Sequence, residues 1–165
     1  MASSEEYFKS GEAFYYDKKY DMAIEEFTKA INIDPNASNV ALIYGFRGLS
    51  YQDKGDYDLA IADFTVMIRL FPNALSYRNR GIAYTRKQEY NNAFLDFEAA
   101  LQLDPNDAKT YLNRGILYGA KNDFNQAISD FESVLIIEPD NKIAKGFLEE
   151  IRGVYRNNKR LGGKL

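Results

Sequence analysis

Between Asp21 and Ile33 the apolar residues Ala23, Ile24, Phe27, Ala30 and Ile31 fall on the 3, 4, 7, 8 stripe of one helical face. Upstream, Tyr7, Gly11 and Phe14 share a face across Ser3 to Tyr16, and Ser3 or Ser4 with Glu6 predicts a capped start. The pair ends at Asp34-Pro35-Asn36, because a residue before proline disfavours the α region. One helical hairpin is therefore predicted, and the same pattern then returns. Tyr7, Gly11, Phe14, Tyr20, Ala23, Phe27, Ala30 and Pro35 are matched by Tyr44, Gly48, Tyr51, Tyr57, Ala60, Phe64, Met67 and Pro72. Tyr77, Gly81, Tyr84, Tyr90, Ala93, Phe97, Ala100 and Pro105 follow, then Tyr111, Gly115, Tyr118, Phe124, Ala127, Phe131, Val134 and Pro139.

The prolines are 37, 33 and 34 residues apart, a period that signals an array of stacked helical units. The units predicted are 4–37, 41–73, 74–107 and 108–141. A last helix, 142–158, carries Ile143, Phe147, Ile151 and Val154 on one stripe and Lys142, Lys145, Glu149, Glu150, Arg152 and Arg156 on the other. That is the composition of a terminal cap, and 159–165 is predicted to be a flexible basic tail. Pro35 to Tyr44 is longer than its counterparts, and Asn36, Ser38 and Asn39 predict that its helix starts a turn early.

Two features recur within the units. Gly11, Gly48, Gly81 and Gly115 sit in mid-helix, where glycine costs roughly 1 kcal/mol against alanine. Such repetition predicts close packing of a neighbouring helix, with Ala23, Ala60, Ala93 and Ala127 opposite. Arg47, Arg80 and Arg114 precede their glycines, and Asp63, Asp96 and Asp130 precede Phe64, Phe97 and Phe131. The first unit has Ser10 and Glu26 instead, so arginine and aspartate change together and are predicted to pair.

The order of aromatic, small and proline positions resembles the tetratricopeptide repeat (TPR) family over residues 4 to about 141. The resemblance implies an all-α fold, a right-handed α-solenoid of four antiparallel helix-pair repeats with a terminal capping helix. It also implies that the first helices line a concave surface that binds partner proteins. The partner-binding residues expected on that surface are Phe8, Glu12, Leu42, Phe46, Leu49, Leu75, Arg78, Asn79, Ile82, Arg86, Lys109, Leu112, Asn113 and Ile116. They form an apolar track bordered by donors, suited to a peptide with apolar anchors and some acidic character. Family members that hold acidic chaperone tails use a clamp of lysines, asparagines and an arginine. On the first three units its positions carry Phe8, Glu12, Phe46, Leu75 and Asn79, which match nowhere. One unit later they carry Gly45, Leu49, Asn79, Lys109 and Asn113, two matches of five, so chaperone-tail binding is not predicted.

Composition narrows the chemistry. The 165 residues contain no cysteine and no histidine, which removes thiolate nucleophiles, imidazole bases and the commonest transition-metal ligands. No catalytic residue, cofactor or metal site is expected, and an enzyme is not. DKGDYD at Asp53–Asp58 lacks the ligand spacing of a calcium loop and reads as a turn with Gly55 at the helix end. A net charge of -3 argues against a broad nucleic-acid footprint despite Arg152, Arg156, Lys159, Arg160 and Lys164. MASSEEYFKS has no apolar core of a signal peptide, and no run reaches the ~18 apolar residues of a membrane span, so a cytoplasmic protein is expected. The function expected is a non-enzymatic scaffold or adaptor; the alternatives are a self-assembling structural protein or, behind it, an RNA binder.

Overall fold

The computed structural model describes residues 2–160, with side chains through Arg156. Among the described residues the regular structure is all helical: α1 (Ser4–Tyr16), α2 (Tyr20–Ile33), α3 (Val40–Lys54), α4 (Tyr57–Leu70), α5 (Ala74–Arg86), α6 (Tyr90–Leu103), α7 (Ala108–Ala120), α8 (Phe124–Ile137) and α9 (Lys142–Arg160). The chain divides into two compact units, Met1–Asp96 and Phe97–Leu165. In the first, α1 packs on α2 and α3 on α4, while α2 meets α3 and α4 meets α5. In the second, α7 packs on α8 and α8 on α9. The last helix runs two residues past the predicted 158, for no strong breaker precedes Gly162. Residues 161–165 of the predicted tail lie outside the described residues.

Local chemistry sets the helix ends. Ser3 accepts from the Glu6 amide and Glu6 reaches back to the Ser3 amide, a reciprocal capping box. Ser4 instead donates to the Ala30 carbonyl at 2.9 Å, tying α1 to α2. Each hairpin turn places one residue in the left-handed region at the same repeat position: Lys18 (φ 60°), Gly55 (94°), Gln88 (63°) and Asn122 (61°). Only the second repeat uses the residue without a Cβ penalty there. Gln88→Gly is accordingly expected to raise the unfolding free energy by about 1 kcal/mol, read from the urea midpoint, because the left-handed conformation costs an L-residue roughly that much.

The largest fully buried side chains are the phenylalanines of the second helices. Phe27, Phe64, Phe97 and Phe131 occupy one repeat position and are all 0 % exposed. The glycines face these rings rather than the alanines expected from the sequence. A Cβ on Gly11 would lie 2.5 Å from the Phe27 ring, on Gly48 2.8 Å from Phe64, and on Gly115 2.9 Å from Phe131. Those separations are far inside van der Waals contact, so the phenylalanine needs the missing methyl.

The arginine–aspartate pairs form as the sequence predicts. Arg47 donates from Nε and Nη2 to the two Asp63 oxygens at 2.8 and 2.8 Å, Arg80 to Asp96 at 2.8 and 2.7 Å, and Arg114 to Asp130 at 2.9 and 2.8 Å. These are parallel two-point bonds, the geometry a planar guanidinium favours. In the first unit each arginine also reaches the preceding repeat: Arg47 Nη1 donates to Thr28 on α2 and Arg80 Nη1 to Thr65 on α4, both at 3.0 Å. Tyrosine rings flank the guanidinium groups, Tyr44 at Arg47, and Tyr77 and Tyr84 at Arg80. In the first repeat Lys29 replaces the arginine, and its ammonium, with the Ser10 hydroxyl, holds the Glu26 carboxyl below its ordinary range.

The long linker is resolved differently from the sequence expectation. Val40 stands eight residues before Gly48, against seven for Ser4, Ala74 and Ala108 before their glycines, so α3 gains one residue and not a turn. The remaining extra residues, Pro35 to Asn39, form two successive turns, closed by the Ala37 amide donating to the Asp34 carbonyl and the Val40 amide to the Ala37 carbonyl. Asn39 does not cap α3 with its side chain, which instead donates to Glu5 at 3.2 Å.

Candidate functional site

The sequence-selected residues fall into three settings. Phe8 and Asn79, at 6 % and 8 % exposed, are buried, so they belong to the packing rather than to an open surface. Phe8 joins Phe27, Ile31 and Ile43 in one apolar cluster because α1 crosses both α2 and α3 at that point. Leu42 and Leu75 are exposed and line a cavity together with residues 35–41 at the linker. Glu12, Phe46, Leu49, Arg78 and Ile82 are half-buried and Arg86 is exposed on α1, α3 and α5. Leu49 also packs partly against Ala60, Phe64, Met67 and Ala83.

Phe46 is the centre of an aromatic group in the first unit. Its ring lies 5.7 Å from Tyr15 and 6.4 Å from Tyr16, both edge-on, and 5.8 Å from Phe8 and from Phe27. One side of this group is core, while Tyr16 at the other side is 71 % exposed. Edge-to-face contacts hold such rings in fixed orientations. The Tyr15 hydroxyl donates to Asp53 at 3.2 Å, and burial, with the carboxylate beside it, pushes that phenol up to about 12. Tyr15 is therefore a neutral donor throughout the physiological range, and it links the end of α1 to α3.

In the second unit, taken alone, α7 carries Lys109 and Ile116 exposed and Leu112 and Asn113 half-buried. Asn113 donates to the Lys109 carbonyl at 2.7 Å, one helical turn back. Leu112 packs partly against Val134 and Leu148, which leaves Ile116 as the open apolar position of that helix.

Sequence reasoning missed Phe71 and Leu70. Phe71 is 63 % exposed and Leu70 47 %, and both line the same cavity as Leu42 and Leu75. The signal was present in the register: the residue before the closing proline is Asp34, Asp104 and Glu138 in the other repeats and Phe71 only here. No group of three or more potential metal ligands occurs among the described residues, and no described helix is long and apolar enough to cross a membrane.

Helix pairs closed by an αL turn, a phenylalanine seated on a glycine and a proline-stopped second helix define an all-α solenoid repeat. Sequence models of the tetratricopeptide repeat match residues 4–37, 41–73 and 108–141, and a further TPR repeat model matches 81–122. The first TPR domain of Spaghetti (RPAP3), bound to the HSP90 peptide SRMEEVD, is 32% identical over 70% of this chain and 93% of its own, with a TM-score of 0.68. The second TPR domain of human RPAP3, in complex with the HSP70 peptide SGPTIEEVD, is 33% identical over 68% of this chain and 98% of its own, with a TM-score of 0.62. A tetratricopeptide repeat protein from Parabacteroides merdae shares the fold with a TM-score of 0.80 at 22% identity, over 95% of this chain and 63% of its own. A search of curated proteins gives no match. The chain belongs to the tetratricopeptide repeat family.

Proposed function

We propose that this chain is a non-enzymatic interaction module, a scaffold or adaptor that holds a segment of a partner protein against its first helices. The observation that carries the reading is the half-open aromatic group at Phe46, with Tyr15 fixed beside it and Tyr16 exposed at its edge. Rigid aromatic side chains give large contact area at low entropic cost, which is why they dominate binding hot spots. Half-buried Ile82 and exposed Ile116 offer further apolar seats, and Arg78, Arg86 and Lys109 favour some acidic character in the partner. The RPAP3 domains hold peptides ending in EEVD, which supports peptide capture as the mode.

The acidic-tail clamp itself is a different matter. Its positions on the first three repeats carry buried Phe8, half-buried Glu12 and Phe46, exposed Leu75 and buried Asn79. A terminal carboxylate meets no cation in that set and would face Glu12, so apolar anchoring and not carboxylate clamping is the proposed basis of recognition. With neither histidine nor cysteine in the chain, recognition rather than chemistry is the role proposed for this surface.

The test is capture from native lysate, comparing wild type with Ile82→Glu combined with Ile116→Glu by mass spectrometry, after circular dichroism has shown equal helix content. A partner retained by wild type and depleted about tenfold or more by the variant is the expected result, since a carboxylate in an apolar seat is strongly disfavoured. Equal capture by both proteins moves the binding surface off these helices.

A further inference from the structure

The cavity at the linker edge of the first unit is a feature that partner capture on the first helices does not use. It has a volume of about 700 Å³, lined by linker residues 35–39 and by Leu70 and Phe71 at the end of α4; Leu42, Met67 and Leu75 are among its other apolar residues. These four side chains are 44 to 63 % exposed, an apolar patch that a monomer has no packing reason to keep. Phe71 makes the case sharper, because the other repeats place a carboxylate there.

Ala37, Ser38 and Asn39 also border a second depression of about 600 Å³, which mixes Ile33 and Ala37 with polar side chains and contains Glu5 and Asp34 with no basic residue in its lining. Glu5 is held by Lys9 through Oε1 at 3.3 Å and by Asn39 through Oε2 at 3.2 Å, whereas Asp34 accepts from the Asn36 amide through Oδ1 and offers Oδ2 to a further donor. The adjoining pair asks for a segment with bulky aliphatic residues beside cations.

One stretch of this chain has that composition. Lys159-Arg160-Leu161-Gly162-Gly163-Lys164-Leu165 combines three cations with two leucines, holds no acidic residue, and has two glycines that let a backbone approach a surface closely. Its last five residues span roughly 17 Å when extended, enough to bridge two adjoining depressions. We propose that the linker-edge cavity is the docking site for residues 159–165 of a second copy of this chain, leucine in the apolar part and lysine or arginine toward Asp34. Groove and segment are different surfaces, so the contact joins unlike parts of two copies, and either reciprocal exchange of tails or propagation from copy to copy satisfies it. The site is independent of the surface assigned to partner capture.

The experiment pairs sedimentation equilibrium of the full chain with fluorescence anisotropy of a labelled peptide of residues 157–165, NNKRLGGKL. Wild type is expected to bind the peptide saturably, and its average mass should climb with concentration above the 18.9 kDa of one chain, to two chains or beyond. Phe71→Asp installs the residue type the other repeats carry and should fold with unchanged helix content, yet weaken peptide binding about tenfold or more. Leu161→Asp in the full chain should flatten the rise in mass, and added salt should weaken association as the ion pairs are screened. A mass that stays at one chain at every concentration overturns the proposal. So do peptide binding that Phe71→Asp leaves unchanged, equal binding of a charge-reversed peptide, and association that Leu161→Asp does not touch.

Discussion

Arg80→Ala is expected to lower the unfolding free energy by about 3–5 kcal/mol, the cost of leaving a buried carboxylate without its partner. Asp96 is only 6 % exposed at its side chain, and both its oxygens receive Arg80 N–H groups. The alanine variant also removes the bond to Thr65 on α4 and the stacking between Tyr77 and Tyr84, so it loosens two successive repeats at once. Lys87→Ala is the control. Its ammonium pairs with Asp58 and Glu89, but Asp58 is 83 % exposed, and a solvated pair of this kind contributes little. Urea unfolding of both variants checks the expectation, and equal midpoints would remove the buried pair as a source of stability. The combined change Arg80→Met with Asp96→Leu should recover most of the loss, because an apolar pair carries no desolvation penalty.

Phe64→Ala is expected to cost about 3–5 kcal/mol, as for other fully buried phenylalanines. What makes this position diagnostic is its coupling to Gly48. In the wild-type background Gly48→Ala should destabilise by about 1–3 kcal/mol, outweighing the roughly 1 kcal/mol of helix propensity that alanine brings. The added methyl would stand 2.8 Å from a ring that is 0 % exposed and has nowhere to retreat. With Phe64 already shortened to alanine, the same methyl enters vacated space, and Gly48→Ala should become stabilising. Four urea titrations close the cycle. A change of sign is the expected result, and simple additivity would show that the ring is not what excludes the methyl.

The same reasoning separates what was legible in the chain from what was not. The Arg–Asp pairs were visible because partners that change together in one repeat, to Ser10 and Glu26, leave a trace in sequence. Their second role, binding Thr28 and Thr65 of the preceding repeat, was not, since nothing in the spacing says which neighbouring hydroxyl a guanidinium reaches. The glycines were recognised as close contacts, but the contacting group was assigned to alanine; helix spacing marks a face without fixing the direction in which a long side chain crosses to its partner. Phe8 was placed on the binding surface because the family resemblance puts the first helices along it, yet it is 6 % exposed, for α1 packs against both α2 and α3.

By itself, then, the sequence determined the repeat, its helices, the turn at Gly55 and the family, because apolar periodicity, glycine and proline act on the backbone within a few residues. Only the tertiary structure decided which first-helix residues remain open, how the extra residues after Pro35 turn into α3, and that Leu42, Leu70, Phe71 and Leu75 meet around one cavity. Exposure is a property of what the neighbouring helices leave uncovered, and that depends on crossing geometry between residues far apart in the chain.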